Sequence, residues 1–377
     1  MPRRIDLICA SALTLLALAS LAACSEHVPA GTQGRRAAAI VYGQDDRSEL
    51  YEQADDPRAR IADAAVALLP RSTLANRRGP ELARGLPSWE DDGGLCPGEP
   101  FGDQPVAAFC SGVLVDWDLV LTVAHCVEDI PLDEVAMVMG FYYVEPGVLG
   151  SAAEDVLQPI AIVDATHGVG FDDSFLDYAW VRLAQPAPPW RRPAPLRATP
   201  APVIDGESLA LMGSAGGTPL KLDFGATVLD ARPDQLDYFT ADTDTSRGSS
   251  GSGAYDQQLV LSGILARGGE DFEQTDEGCL TTRRERAAND VWEELTYVHQ
   301  ALAGLCSLGA RTSSLCRADC GDPCEASPRP GPSDDGCSLA HGAGTRQPRS
   351  AALGALLFVG ATWLACRRRA RLSRSGS

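Results

Sequence analysis

Five histidines occur in 377 residues: His27, His125, His167, His299 and His341. His27 and His341 lie in polar segments near the ends, and His299 falls on a stretch with helical spacing. A histidine-dependent mechanism therefore uses His125 or His167. His125 stands in Leu-Thr-Val-Ala-His-Cys, directly after the apolar run 112–123. A buried strand that delivers an imidazole at its end holds a general base rigidly, as proton transfer requires. A structural histidine at a strand end looks the same in isolation. Gly248-Ser-Ser-Gly-Ser-Gly253 supplies a nucleophile, Ser250, with Gly248 two residues before it and Gly251 after. Glycine at 248 lets its N–H and that of Ser250 point into one anion site, which stabilises the tetrahedral intermediate of acyl transfer. A flexible linker has this composition too, but the strand-like run 258–266 comes soon after, whereas linkers join domains. Asp177 opens Asp-Tyr-Ala-Trp-Val-Arg-Leu183. An acid entering an apolar strand can be buried against the outer imidazole nitrogen and orient it. Asp172 and Asp173 are its rivals, in a turn-like segment, and a simple strand-cap aspartate is the plainer reading.

The elements that must position these groups read as short strands. Apolar runs at 64–69, 112–123, 135–144, 156–163, 178–183, 208–212, 226–229 and 258–266 alternate with Gly, Pro and Asp clusters, the pattern of a sandwich or barrel. The helix/strand alternation of a parallel α/β sheet is missing. One helix is predicted over 283–305, where Val291, Leu295, Val298 and Leu302 fall three to four apart. The Cys-, Pro- and Gly-rich stretch 306–337 reads as a small disulfide-stapled stalk. With 45% apolar and 22% charged residues the chain is neither collagen, coiled coil nor wholly disordered. Its net charge of −19 disfavours a nucleic-acid partner. Twelve cysteines are too many for a reducing cytosol.

Together the three motifs resemble the trypsin/chymotrypsin-like serine proteases, whose order is also His, Asp, Ser. Thr-Val-Ala-His-Cys126 stands for that family's Thr-Ala-Ala-His-Cys, and Asp177-Tyr-Ala for its Asp-Ile-Ala. Gly248-Ser-Ser-Gly-Ser-Gly253 departs from Gly-Asp-Ser-Gly-Gly-Pro and looks more like the bacterial glutamyl-endopeptidase branch. It is not the α/β-hydrolase Gly-x-Ser-x-Gly, because Ser252 occupies the last position. The resemblance covers 40–305. It implies an all-β fold of two six-stranded antiparallel β-barrels with a cleft between them and a C-terminal helix. It further implies Ser250 as nucleophile, His125 as base, Asp177 as its orienter, and Gly248 and Ser250 as oxyanion donors. A Cys110–Cys126 disulfide, a polypeptide substrate and no cofactor or metal complete the expectation. Ile40-Val-Tyr-Gly43 is similar to the family's mature terminus, but no basic residue immediately precedes Ile40, and Ser249 replaces the aspartate that would receive a new amine.

For specificity, Asp244 sits six residues before Ser250, where the family places the floor of the primary pocket. An acid there favours Arg or Lys substrates. Thr245, Ala266, Arg267 and Gly268 are the other expected pocket residues, with 266–268 as the strand that pairs with the substrate. No histidine occurs between 200 and 298, which counts against glutamate preference, although Arg247 and Arg267 could attract acidic side chains. Two rival functions remain: a catalytically silent homologue that acts as a surface binding module, and an esterase. Eight cysteines lie between Cys96 and Cys324, enough for four disulfides, with Cys279–Cys306 the expected second pair. A zinc site on Cys316, Cys320 and Cys324 is disfavoured, since no histidine is near and exported thiols oxidise.

Both ends read as export devices. Residues 1–23 form a signal peptide with Arg3 and Arg4 before an apolar stretch. Leu-Ala-Ala-Cys24 resembles the lipobox of bacterial lipoproteins, which would lipidate Cys24, and cleavage at Ala-Leu-Ala is the alternative. Residues 24–39 are a tether. In 338–377 the apolar run 351–366, shorter than the ~20 residues of a full span, precedes Arg367, Arg368, Arg369 and Arg371. That cluster keeps the end cytoplasmic. With Cys337 and its polar spacer the order resembles the MYXO-CTERM sorting tail of myxobacterial exported proteins, and a plain single-pass anchor is the alternative. The expected address is the cell envelope or surface, with release as the alternative, and the expected partners are the export and sorting machinery and the membrane. Residues 1–23 carry +1 and 338–377 carry +7, so within the total of −19 the segment between them carries −27.

Overall fold

The computed structural model describes residues 41–75, 77–169, 174–285 and 292–329. The signal peptide, Cys24, the tether, Ile40, Asp172, Asp173, Val291, Cys337 and the tail 338–377 with its apolar run lie outside the described residues. Among the described residues no helix is long and apolar enough to cross a membrane.

The first half builds six runs of strand: β1 (Ala65–Pro70), β2 (Cys110–Asp116), β3 (Leu119–Thr122), β4 (Val135–Met139), β5 (Val156–Leu157 and Pro159–Val169) and β6 (Phe175–Leu183). β1 lies between β2 and β4, β3 joins β2 to β6, and β6 pairs with the long part of β5. The short part of β5 pairs with β4, and only Gln158 separates the two parts. One run of chain thus connects both edges of the sheet, and the sheet curls shut. The short part of β5 thereby covers the outer edge of β4, while the long part pairs on one side, with β6.

The second half repeats the scheme with β7 (Ala210–Gly213), β8 (Lys221–Asp223 and Val228–Asp230), β9 (Tyr238–Ala241), β10 (Gly253–Tyr255), β11 (Leu261–Arg267) and β12 (Glu293–Tyr297). Hydrogen bonds from Leu209 to Ala226 (2.8 Å) and from Val228 to Glu207 (2.9 Å) carry the β7–β8 pairing past the break in β8. They join β7 to the β8–β9–β12–β11–β10 run and close this sheet as well. The expected pair of six-stranded barrels is therefore present. Most of its strands, such as β1, β2, β3, β4 and β7, are buried nearly along their whole length, whereas the long part of β5 is largely exposed.

The helix expectation needs correction. The helix runs over Val298–Ser307, and Glu293–Tyr297 before it is a central strand held between β9 and β11. Leu295 and Val298 match helical spacing by accident of a strand–helix junction. Leu295 faces the interior of the second barrel, whereas Val298, Ala301, Leu302 and Leu305 pack into the other apolar cluster. Trp180 of β6 is fully buried beneath this helix and donates its indole N–H to Ala301 O at 2.9 Å.

Disulfides join Cys96–Cys279, Cys110–Cys126, Cys306–Cys316 and Cys320–Cys324. Cys279 thus pairs with Cys96 and not with Cys306, because the hairpin carrying Cys279 lies beside the loop around Leu95. Residues 306–329, expected to belong to a stalk, lie against the barrels. Cys324 and Leu196 exchange backbone hydrogen bonds, Asp116 accepts from Ser313 and Ser314, and Trp117 donates to Ser327 O. Over this length the segment is a clasp rather than a projection.

Candidate active site

β3 pairs with β6 so that Thr122 faces Ala179. Running that register two residues further brings the single turn Ala124–Cys126 opposite Asp177. Asp177 is 2% exposed, and both carboxylate oxygens are committed to this turn. Oδ1 accepts from the N–H of Ala124 at 2.7 Å and from that of His125 at 3.4 Å, while Oδ2 lies 2.6 Å from His125 Nδ1. The carboxylate thus fixes the backbone that carries the imidazole as well as the ring. A contact of this length assigns the proton to Nδ1 and leaves Nε2 as the basic nitrogen. The rival histidine stands at the same carboxylate: His167 Nε2 is 3.9 Å from Asp177 Oδ2, and its Nδ1 is 2.5 Å from Glu128. The structure therefore gathers both candidate histidines around one acid, but only His125 hydrogen-bonds it.

Across the cleft, the loop from Asp244 to Ser252 is wound by its own backbone, with Ser249 N–H on Ser246 O and Ser252 N–H on Ser249 O. Gly248 has φ +103° and Gly251 φ +87°. A Cβ would overlap Ser214 O at the first and Ser111 O at the second, so both places need glycine. Among the described residues neither the N–H of Gly248 nor that of Ser250 has an acceptor. Ser111, at the start of β2, ties this loop to the first barrel. Its N–H donates to Ser250 O (2.7 Å), its Oγ donates to Gly248 O (2.9 Å), and the same Oγ accepts from Ser214 N–H (3.0 Å). Sequence reasoning missed Ser111, although its place beside Cys110, whose disulfide brackets His125, was a usable signal.

His125 and Ser250 line one cavity of about 340 Å³, together with Ser246, Arg247, Gly248, Leu265, Arg267, Gly268 and Glu293. Of the expected pocket residues, Arg267 and Gly268 are there. Ala266 and Thr245 are buried outside the lining. Asp244 is a correction. Its carboxylate accepts from the N–H groups of Tyr42 and Asp46, both at 2.7 Å, and is 4% exposed outside the cavity. It pins the amino-terminal segment instead of flooring a pocket. Burial and the neighbouring Asp223 push it up to about 8. Arg267 stacks its guanidinium 3.4 Å from the Phe175 ring centroid and pairs with Glu294. Glu293 was not anticipated, because the helical reading of 283–305 hid the strand that carries it. It is 1% exposed, and burial first and Asp271 second push its carboxyl well above the usual carboxylate range.

Cys110, His125 and Cys126 bring three metal-ligating atoms within 4.8 Å of one another. The two sulfurs are spent in their disulfide, so this group has no thiolate to offer a metal.

Residues 110–264 match the family model for the trypsin-like peptidase domain. The match spans His125, Asp177 and Ser250. No curated protein matches the sequence. Among solved structures, the chain is similar to an inactive form of Rv3671c from M. tuberculosis H37Rv, with 14% identity and a TM-score of 0.38 over 72% of this chain and 98% of that one. It is also similar to the VesB protease of Vibrio cholerae, with 17% identity, a TM-score of 0.39 and coverage of 69% and 64%. Kallikrein-related peptidase 10 gives 16% identity, a TM-score of 0.38 and coverage of 66% and 96%.

Proposed function

We propose that the protein is an exported serine endopeptidase that prefers Arg or Lys at the primary site. The observation that carries this reading is the His125–Asp177 contact of 2.6 Å facing Ser250 across one cavity, inside a segment that matches a peptidase family. Ser250 Oγ attacks the peptide carbonyl while His125 Nε2 takes its proton. The N–H groups of Gly248 and Ser250 stabilise the oxyanion. Collapse of the intermediate expels the amine, which leaves with the proton held by His125, and water then repeats the sequence on the acyl-enzyme.

Export rests on the leader 1–23 and the arginine-flanked apolar tail. The four disulfides support it, since such bonds persist in oxidising compartments. Lipidation at Cys24, sorting at Cys337 and an envelope or surface address belong to the same proposal. Labelling by a serine-directed fluorophosphonate, abolished in Ser250→Ala, together with cleavage of a peptide library, is the expected result. A folded protein that takes no label is a binding module, and one that turns over esters but no peptide is an esterase.

A further inference from the structure

The cavity that holds Ser250 has in its wall an acid with one oxygen left unsatisfied. Glu293 lies on β12, and its carboxyl lies so close over Gly268 of the opposing chain that any Cβ at 268 would overlap it. Glu293 Oε1 has no hydrogen-bond partner, and neither has Ser246 Oγ, a second buried lining atom. A buried carboxyl with a free oxygen is costly unless a donor or a cation reaches it. Two arginines line the same cavity, and neither is hydrogen-bonded to Glu293 Oε1. Arg267 is drawn off to Glu294 and to the rings of Phe175 and Tyr238, and Arg247 is exposed. Asp271 adds further negative potential behind Glu293.

We propose that Glu293 selects the substrate side chain at the primary site, and that this side chain is a cation, arginine or lysine. The inference rests on the peptidase reading above and moves its specificity from Asp244, which lies outside the cavity, to the cavity wall. A side chain attached to the carbonyl held at Ser250 enters this cavity. An ammonium or guanidinium offers several N–H donors at once, so it can satisfy Glu293 Oε1 and Ser246 Oγ together while neutralising the carboxylate. An acidic side chain would bring a charge that this buried acidic wall cannot pair, and an aliphatic one would leave both acceptors unpaired.

The test uses the full protein and peptides identical except at the residue before the cleaved bond: Arg, Lys, Gln, Glu or norleucine. The wild type is expected to favour Arg and Lys over norleucine by about 10²-fold or more in kcat/KM. Glu293→Gln is expected to lose about that factor on Arg and Lys, with norleucine changed by no more than about threefold. Glu293→Asp keeps the charge one methylene shorter and is expected to retain a weaker basic preference. This second variant also guards against a folding failure in the first. Fluorophosphonate labelling of each protein separates the two levels of failure. A wild type that neither labels nor cleaves overturns the peptidase reading, and this assignment with it. A labelled Glu293→Gln with its basic preference intact, or a wild type that prefers Glu, Gln or norleucine, overturns the assignment of Glu293 alone.

Discussion

The two barrels contribute to the cleft in opposite ways. On the first, polar groups at the site are already spoken for: Asp177 holds His125 and the backbone beneath it, and Glu128 holds His167. On the second, Arg267 is paired with Glu294, but several other groups at the cavity have been left open. The N–H groups of Gly248 and Ser250 and the acceptors Ser246 Oγ and Glu293 Oε1 lack partners among the described residues. On the proposed function, His125 is a general base that works by being held still, and its side of the cleft is closed on itself. An oxyanion site and a specificity pocket work by being unsatisfied until substrate arrives. On that proposal, the difference separates where chemistry is prepared from where binding is awaited.

The sharpest way to break this division is to remove its two halves separately. Ser250→Ala and His125→Ala are each expected to lower kcat on a cleaved peptide by at least about 10⁴-fold. The double variant should be no worse than either single one. Losses that multiply would mean that the two residues do not act as one unit, and the pairing of the barrels at this cleft would be wrong.

The next test asks whether the first barrel is as closed as it looks. Away from the cleft, Arg191 gives Asp155 a two-point ion pair, both residues being buried, and also bonds Tyr142 and Gly150 O. Asp155 also caps the turn that feeds β5, the run that shuts the barrel. Asp155→Asn leaves a buried guanidinium unpaired and is expected to cost about 3–5 kcal/mol in denaturant unfolding. A change under about 1 kcal/mol would show that barrel closure does not depend on this pair.

A somewhat smaller effect is expected where the second barrel needs openness. Gly248→Ala adds a Cβ that overlaps Ser214 O at a positive φ. Relieving it turns the peptide and misaims one oxyanion donor. We expect kcat to fall by about 10²–10³-fold with KM nearly unchanged. A rise in KM with kcat intact would place the glycine in substrate fit instead.

The same contrast explains what could be read from the sequence. The contact of His125 with Asp177 accords with the place of each at the edge of an apolar strand, where type and spacing indicate a held side chain. The glycines around Ser250 marked the tight loop that brings it to the same cavity as His125. The pocket was less legible, since its residues are brought together by curvature that a linear pattern does not record. Glu293-Glu-Leu-Thr-Tyr297 shares helical spacing with Val298–Ser307 but pairs as a strand with β9 and β11, and these tertiary partners decided its structure. Asp244 stands where a pocket acid belongs in sequence, but the amino-terminal segment takes both of its oxygens. Cys279 likewise found its partner in a distant loop, Cys96, which spacing could not indicate.

The smallest expected effect tests whether imperfect satisfaction in the second half extends beyond the cleft. His299 lies in the first turn of the C-terminal helix, 5% exposed, with its ring beside Tyr297 and neither ring nitrogen hydrogen-bonded. Burial first and Arg197 second lower it from 6.5 to about 4. In the unfolded chain the imidazole takes up a proton near its ordinary value, while the folded protein refuses one until about pH 4. Between these values the unfolded state binds more protons, so this group removes stability as pH falls from 6.5 to about 4 and contributes no further slope below. Asp244 has the reverse sign: raised to about 8, it holds a proton that the unfolded chain has released, and it removes stability as pH rises toward 8. Comparing wild type with His299→Phe isolates the histidine, because Asp244 is common to both. The difference in unfolding free energy between pH 7 and pH 4 is expected to be about 1–3 kcal/mol, with the wild type losing more on acidification. Equal losses would mean that the ring finds a partner when protonated, and that the half-satisfied state of the second barrel is confined to the surface that meets substrate.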